Sequence, residues 1–165
     1  MIDLYQDVLT WEEHVHVYNM LSTGSWQFGR FSKSLDAFTF WYADLSDNEF
    51  FTKHFMKRIC EKTKMPNLKL KNVYANGQTY GLPGVMHKDS DDINRLTFIY
   101  YANLKWEYDW GGATVWLMEN ECQQSAVPIP NAGVLFDSTI LHCGNEPTRH
   151  CKDLRITVAF NLLKE

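Results

Sequence analysis

The sequence predicts a mainly β (α+β) protein, an antiparallel double-sheet jelly roll with supporting N-terminal helices. Three observations lead there. Helical periodicity is confined to two segments in the first 66 residues. From Leu68 to the end the chain reads as strands separated by turn signals such as Asn76-Gly77, Pro83-Gly84 and Gly111-Gly112. Aromatic residues make up 15% of the chain, which suits a β-rich core or an aromatic-lined pocket. A length of 165 residues fits one domain, 1–165, in which 1–66 supply supporting helices and strands and 67–165 the jelly-roll core.

Taken in order, residues 2–9 read as a short extended segment. Thr10-Trp11-Glu12-Glu13 is a capping-box signature that opens a helix running to about Leu21 and ending near Gly24. His14 and His16 diverge on that helix and suit packing or surface roles rather than joint ligation. Ser25–Ser32 and Ala37–Asp44 are strand-like and rich in Phe, Trp and Tyr. Ser46-Asp47-Asn48-Glu49 has the form of a second capping box, and Phe50, Phe51, Phe55, Met56 and Ile59 follow at helical spacing up to about Lys64, before Pro66. The expected strands beyond are 68–75, 79–81, 85–88, 96–102, 113–118, 125–127, 133–136 and 155–162. On the last of these, Ile156, Val158, Phe160 and Leu162 form an apolar face, and Arg155, Thr157, Ala159 and Asn161 a small or polar one. Alternation alone leaves open whether that second face meets solvent or a pocket.

Composition narrows the function classes. Hydrophobic residues are 45% and charged residues 22%, ordinary for a globular chain, and the net charge of −4 argues against a nucleic-acid partner. The first residues lack the basic and apolar regions of a signal peptide, and no apolar run reaches the roughly 18 residues of a membrane span. The four cysteines show no CxxC spacing, and reduced thiols in a cytoplasm fit best.

The chemistry-bearing stretch centres on His87-Lys88-Asp89. In extended backbone, positions i and i+2 share a face, so one strand end can aim an imidazole and a carboxylate at one point. Chance supplies about 0.7 such pairs in a chain of this composition, so the pair needs partners elsewhere. A non-haem iron(II) site requires a second imidazole and leaves the remaining positions open. His142, following the apolar run Gly133–Phe136 in a turn-rich segment at a sheet rim, is the better candidate; His150, in a basic stretch of loop, is its rival.

His87-x-Asp89, His142, and Arg155 thirteen residues later on the final strand resemble the 2-oxoglutarate- and iron(II)-dependent dioxygenase superfamily. Phe98-Ile99-Tyr100-Tyr101-Ala102-Asn103-Leu104-Lys105-Trp106 followed by Gly111-Gly112, and Tyr74-Ala75-Asn76-Gly77-Gln78-Thr79-Tyr80 before the His-x-Asp pair, are similar to its prolyl 4-hydroxylase branch, small microbial and phage-type members included. The likeness covers roughly residues 70–162. It implies a double-stranded β-helix, with His87, Asp89 and His142 as iron(II) ligands. Arg155 would pair with the distal carboxylate of 2-oxoglutarate, with Thr157 and Tyr101 on the same carboxylate and Tyr74 lining the cosubstrate pocket. It implies O₂ as the oxidant, ascorbate as an auxiliary reductant, and succinate and CO₂ as products. Gly81-Leu82-Pro83-Gly84 lengthens the segment between Tyr74 and His87 relative to the oxygen-sensing enzymes.

The substrate this implies is a proline-containing protein or peptide. The acidic run Asp89-Ser90-Asp91-Asp92 would repel nucleic-acid phosphates. Trp106, Tyr108 and Trp110 are candidates to stack on a prolyl ring, or else they anchor their own loop. A free amino acid or another small molecule is the alternative substrate. An inactive jelly-roll binding module is a third reading, opposed by the presence of His87, Asp89, His142 and Arg155 together.

Overall fold

The structure is a computed structural model that describes residues 1–31, 39–119 and 121–164. Its largest element is a seven-stranded antiparallel sheet in the order β1-β8-β5-β10-β4-β3-β2, from β1 (Ile2–Tyr5), β2 (Gln27–Phe31), β3 (Thr39–Asp44), β4 (Lys69–Gln78), β5 (Arg95–Tyr101), β8 (Gly133–Asp137) and β10 (Arg155–Leu163). A second, three-stranded sheet in the order β7-β6-β9 comprises β6 (Thr114–Leu117), β7 (Gln123–Ala126) and β9 (Leu141–Gly144). The expected outer ends of the second and third strands at Ser32, Ala37 and Phe38 lie outside the described residues.

Helix α1 (Trp11–Ser22) begins as its sequence dictates. The Thr10 hydroxyl accepts from the Glu13 amide at 3.3 Å, and the Glu13 carboxylate accepts from the Thr10 amide at 2.8 Å, so both arms of the capping box are closed. The second box does not form. Asn48 takes the capping role: its side-chain oxygen accepts from the Phe50 amide at 3.0 Å, while Ser46 receives a bond from no helix amide and instead donates its own to Asp44. The helix then opens with a π-helical turn, Phe50–Phe55, before α2 (Met56–Thr63), and closes on Lys64 in the left-handed conformation at φ 58°. Phe51 and Phe55, four residues apart, lie on one helix face and are both fully buried.

These helices cover one face of the large sheet. Val17, Leu21, Phe51, Phe55 and Ile59 pack with Val73, Phe98, Tyr100, Val158, Phe160 and Leu162 in one continuous core. The other face of the sheet meets the small sheet around Tyr101, Trp116, Val134 and Phe136. Strand β10 lies between β4 and β5 and is therefore buried on both faces, its apolar face against the helices and its Arg155–Thr157–Ala159 face between the sheets.

Three strand expectations are corrected. Residues 79–81 form a turn, the Leu82 amide donating to the Thr79 carbonyl at 3.1 Å. In 85–88 only His87 makes a ladder contact, because Pro83-Gly84 turns the chain just before it. Conversely, Leu141–Gly144 is a strand paired with β6, so His142 sits within a sheet rather than in a rim turn.

Candidate active site

His87 and His142 are opposite each other across an isolated antiparallel bridge. The His87 amide donates to the His142 carbonyl at 3.0 Å, and the His142 amide donates back at 2.9 Å. Directly opposed residues share a face, which brings the imidazole centroids to 4.5 Å. Asp89, two residues on, joins that face and is held by its amide bonding to the Ser138 carbonyl at 3.0 Å. Its two carboxylate oxygens lie 3.5 Å from His87 Nε2 and 3.5 Å from His142 Nε2. Ligand atoms of His87, Asp89 and His142 all fall within 4.8 Å of one another, a spacing that can hold a metal ion.

The tautomers follow from the next layer. His87 Nδ1 lies 2.7 Å from the Val85 carbonyl and His142 Nδ1 3.0 Å from the Ile140 carbonyl. A carbonyl only accepts, so each Nδ1 carries a proton, and Nε2 is the ring atom that faces Asp89. Thr97, on β5, donates its hydroxyl to Asp89 Oδ2 at 2.6 Å. Burial by itself would raise the Asp89 carboxyl, but the hydrogen bonds from His87 and Thr97 and the nearby His142 together hold it below the ordinary carboxylate range. Burial lowers the His142 imidazole, keeping it neutral and able to ligate. His150 is not part of the cluster; it lies beside Glu107, Asp109 and Trp110.

The same cleft is lined by Tyr74, Asn76 and Gln78 from β4, Arg155 and Thr157 from β10, and Thr114 from β6. Arg155 is 1% exposed and donates to three neutral acceptors: the Gly112 carbonyl at 2.6 Å, Gln78 Oε1 at 2.7 Å and Thr114 Oγ1 at 3.1 Å. Among the described residues no carboxylate pairs with it, so a buried guanidinium faces the cleft with its charge uncompensated. Such a group is unfavourable alone and suits an anionic ligand. Asn76 Oδ1 is also buried without a partner. These two features and the His–Asp–His donor set fit a divalent metal with a bound carboxylate.

Of the remaining sequence candidates, Tyr101 is buried behind the cleft. Its hydroxyl donates to Thr114 Oγ1 at 2.9 Å, and its ring centroid is 6.0 Å from the Arg155 guanidinium carbon. Trp106, Tyr108 and Trp110 do not line the cleft. Trp106 donates to the Gly111 carbonyl at 3.0 Å and packs edge-on to Trp110 at 5.3 Å, while Tyr108 is 86% exposed. Sequence reasoning missed Gln78, Thr97 and Thr114. The first two carry a legible signal, since Gln78 follows Tyr74 and Asn76, and Thr97 precedes Ile99 and Tyr101, at the two-residue period of one strand face.

A double-stranded β-helix with two imidazoles and a carboxylate at its mouth is the frame of a mononuclear iron oxygenase, and sequence comparison agrees. The chain belongs to the 2OG-Fe(II) oxygenase superfamily, whose sequence model matches residues 72–163. It is accordingly an oxidoreductase of the class that uses Fe(II), 2-oxoglutarate and O₂. No curated protein sequence matches the chain. Similar solved structures include a prolyl hydroxylase from Trichoplax adhaerens in complex with a hypoxia inducible factor oxygen degradation domain peptide fragment. It has 15% identity and a TM-score of 0.73, with 99% of this chain and 83% of that one covered. The viral collagen prolyl hydroxylase of Paramecium Bursaria Chlorella virus-1, in complex with 2OG, has 14% identity and a TM-score of 0.68, with 99% and 96% covered. The alpha ketoglutarate dependent epimerase SnoN from nogalamycin biosynthesis has 11% identity and a TM-score of 0.71, with 99% and 76% covered. At these identities the likeness is one of fold, and that fold carries more than one reaction.

Proposed function

We propose that this protein hydroxylates proline in a protein or peptide substrate, within one domain whose residues 67–165 carry the chemistry and whose residues 1–66 brace it. The observation that carries the reading is the pairing, in one cleft, of the His87–Asp89–His142 donor set with the uncompensated Arg155 guanidinium. Iron(II) and 2-oxoglutarate, when bound, supply oxygen activation coupled to decarboxylation to succinate and CO₂, with ascorbate available as a reductant. The chain's own part is positional. His87, Asp89 and His142 would hold the metal. Thr97 orients Asp89, and Arg155 and Thr157, with Tyr101 behind them, direct the distal carboxylate. Tyr74 lines the cosubstrate side of the cleft. The likeness in fold to prolyl hydroxylases, one of them bound to a peptide, supports a peptide substrate.

A free amino acid or another small molecule is the second reading. It is favoured by Trp106, Tyr108 and Trp110, none of which lines the cleft to offer a platform there for a peptide's prolyl ring. Incubation of proteome digests with the enzyme, iron(II), 2-oxoglutarate and O₂, followed by mass spectrometry, separates the two. Proline residues gaining the mass of one oxygen atom support the first reading. Products confined to free amino acids promote the second. Under anaerobic conditions the iron(II)–2-oxoglutarate complex is expected to give a weak visible charge-transfer band that His142→Ala abolishes. Its absence from the parent protein would remove both.

A further inference from the structure

We propose that Gln78 is a positioning residue for the cosubstrate, fixing the charge and direction of the Arg155 fork so that the site selects a 2-oxo acid with an anionic tail. The inference rests on the reading of Arg155 as the carboxylate anchor given above.

Gln78 is 3% exposed and stands opposite Arg155 in the β4–β10 register. Its side-chain nitrogen lies 3.0 Å from the Leu82 carbonyl and 3.0 Å from the Gly144 carbonyl. Both of those groups only accept, so the nitrogen must face them and the amide oxygen must face Arg155, which it meets at 2.7 Å from Nη1. The amide therefore cannot flip. A guanidinium has five N–H donors. Gly112, Gln78 and Thr114 engage one each on Nε, Nη1 and Nη2, leaving one N–H on each terminal nitrogen. A carboxylate, with two oxygens, can accept from both. Every acceptor already present is neutral, so the full positive charge remains for the ligand.

The surrounding backbone is shaped to permit this. A Cβ at Gly144 would lie 3.0 Å from Gln78 Oε1 and 3.3 Å from Arg155 Nη1, so any side chain there would crowd the pair. Gly112, whose carbonyl receives Nε, is at φ +71°, and a Cβ there would lie 3.0 Å from Arg155 Cδ. A carboxylate at position 78 would keep the oxygen acceptor but neutralise the guanidinium from inside, removing the reason for the site to take an anion.

The test is calorimetric titration of the Mn(II)-loaded protein with 2-oxoglutarate and with 2-oxopentanoate, which has the same 2-oxo acid head and an uncharged tail. Mn(II) affinity reports whether each variant is folded with its metal site intact. Gln78→Met removes the amide without adding charge. It is expected to weaken 2-oxoglutarate binding about tenfold and to keep the preference for it over 2-oxopentanoate. Gln78→Glu is expected to weaken 2-oxoglutarate binding about a hundredfold or more and to abolish the preference. Gln78→Asp repeats the charge test if Gln78→Glu does not load Mn(II). Equal losses in the neutral and acidic variants, with the preference kept in both, would indicate a structural role only and overturn the proposal. Arg155→Gln separates the two levels. Undiminished 2-oxoglutarate affinity in that variant means the anchor reading itself is wrong. Lost affinity there, with parental binding and preference in Gln78→Glu, means that only the role of Gln78 is wrong.

Discussion

Thr97 shows how one hydroxyl serves two partners. It donates to Asp89 Oδ2 at 2.6 Å and accepts from Ser138 Oγ at 2.9 Å, which ties the Asp89 carboxylate to β5 and to the loop before β9. Groups that orient a metal ligand without touching the metal typically change affinity by about 10–100-fold when removed. Thr97→Val keeps the shape of the side chain and deletes the bond, so Mn(II) binding should weaken within that range. The bonds to buried Asp89 and Ser138 are lost as well, so the metal-free protein should also be destabilised, by about 1–3 kcal/mol. A Mn(II) isotherm identical to the parent's would show that Asp89 needs no such support.

At the scale of elements, α1 is fastened to the rest by two polar connections rather than by its apolar stripe alone. Glu13 closes its own capping box and also accepts from Arg58 at 2.7 Å and His54 at 2.6 Å on the second helix. Burial opposes its ionisation, but the bonds from Arg58, Thr10 and His54 win and hold the carboxyl at about 2. The folded value lies below the ordinary one, so the stabilisation is complete above about pH 4.5 and is lost as pH falls toward 2. Glu13→Gln should therefore cost roughly 1–2 kcal/mol in urea denaturation at neutral pH, and the gap to the parent should close in acid. The second connection is a buried chain in which His14 Nδ1 meets the Tyr100 hydroxyl at 2.5 Å and Tyr100 donates to Asn131 Oδ1 at 3.0 Å. Tyr100→Phe leaves His14 Nδ1 without its partner, while Asn131 Oδ1 keeps the Leu9 amide, and should destabilise by about 1–3 kcal/mol. The Mn(II) affinity should not change, because Tyr100 points away from the cleft into the helix-covered core.

Over the whole molecule, stability is concentrated where the helices meet the large sheet. Phe160 is fully buried and packs against Phe55 at 4.8 Å and Phe98 at 6.3 Å between ring centroids. Phe160→Ala should cost about 3–5 kcal/mol, a large share of what a domain of this size holds in reserve. The cleft lies on the opposite face of the same strand, so ligands should brace the fold from the other side. Mn(II) with 2-oxoglutarate at about a hundredfold excess over its dissociation constant should add roughly 2.7 kcal/mol, read as a rise in thermal midpoint that His142→Ala abolishes. A midpoint indifferent to both ligands would mean that His87, Asp89 and His142 do not hold a metal.

What the sequence determined by itself was the set of local rules. Thr10 and Glu13 dictate where α1 starts, the alternation from Ile156 to Leu162 dictates which face of β10 is core, and His87-x-Asp89 dictates that two polar groups share a face. It also carried enough of the family pattern to identify the oxygenase superfamily. What it did not determine depended on which strand lay opposite. Leu141–Gly144 has too little β-branched or alternating character to declare itself, and it becomes a strand because β6 and the bridge to His87 supply its partners. The Ser46 box lost to Asn48, whose side-chain oxygen takes the Phe50 amide while the Ser46 amide is held by Asp44. Whether the Arg155 face met solvent or a pocket was undecided by alternation for the same reason. Only the closure of the small sheet over β10, with Gln78, Gly112 and Thr114 arriving from three separate segments, turned a polar strand face into a buried cationic site.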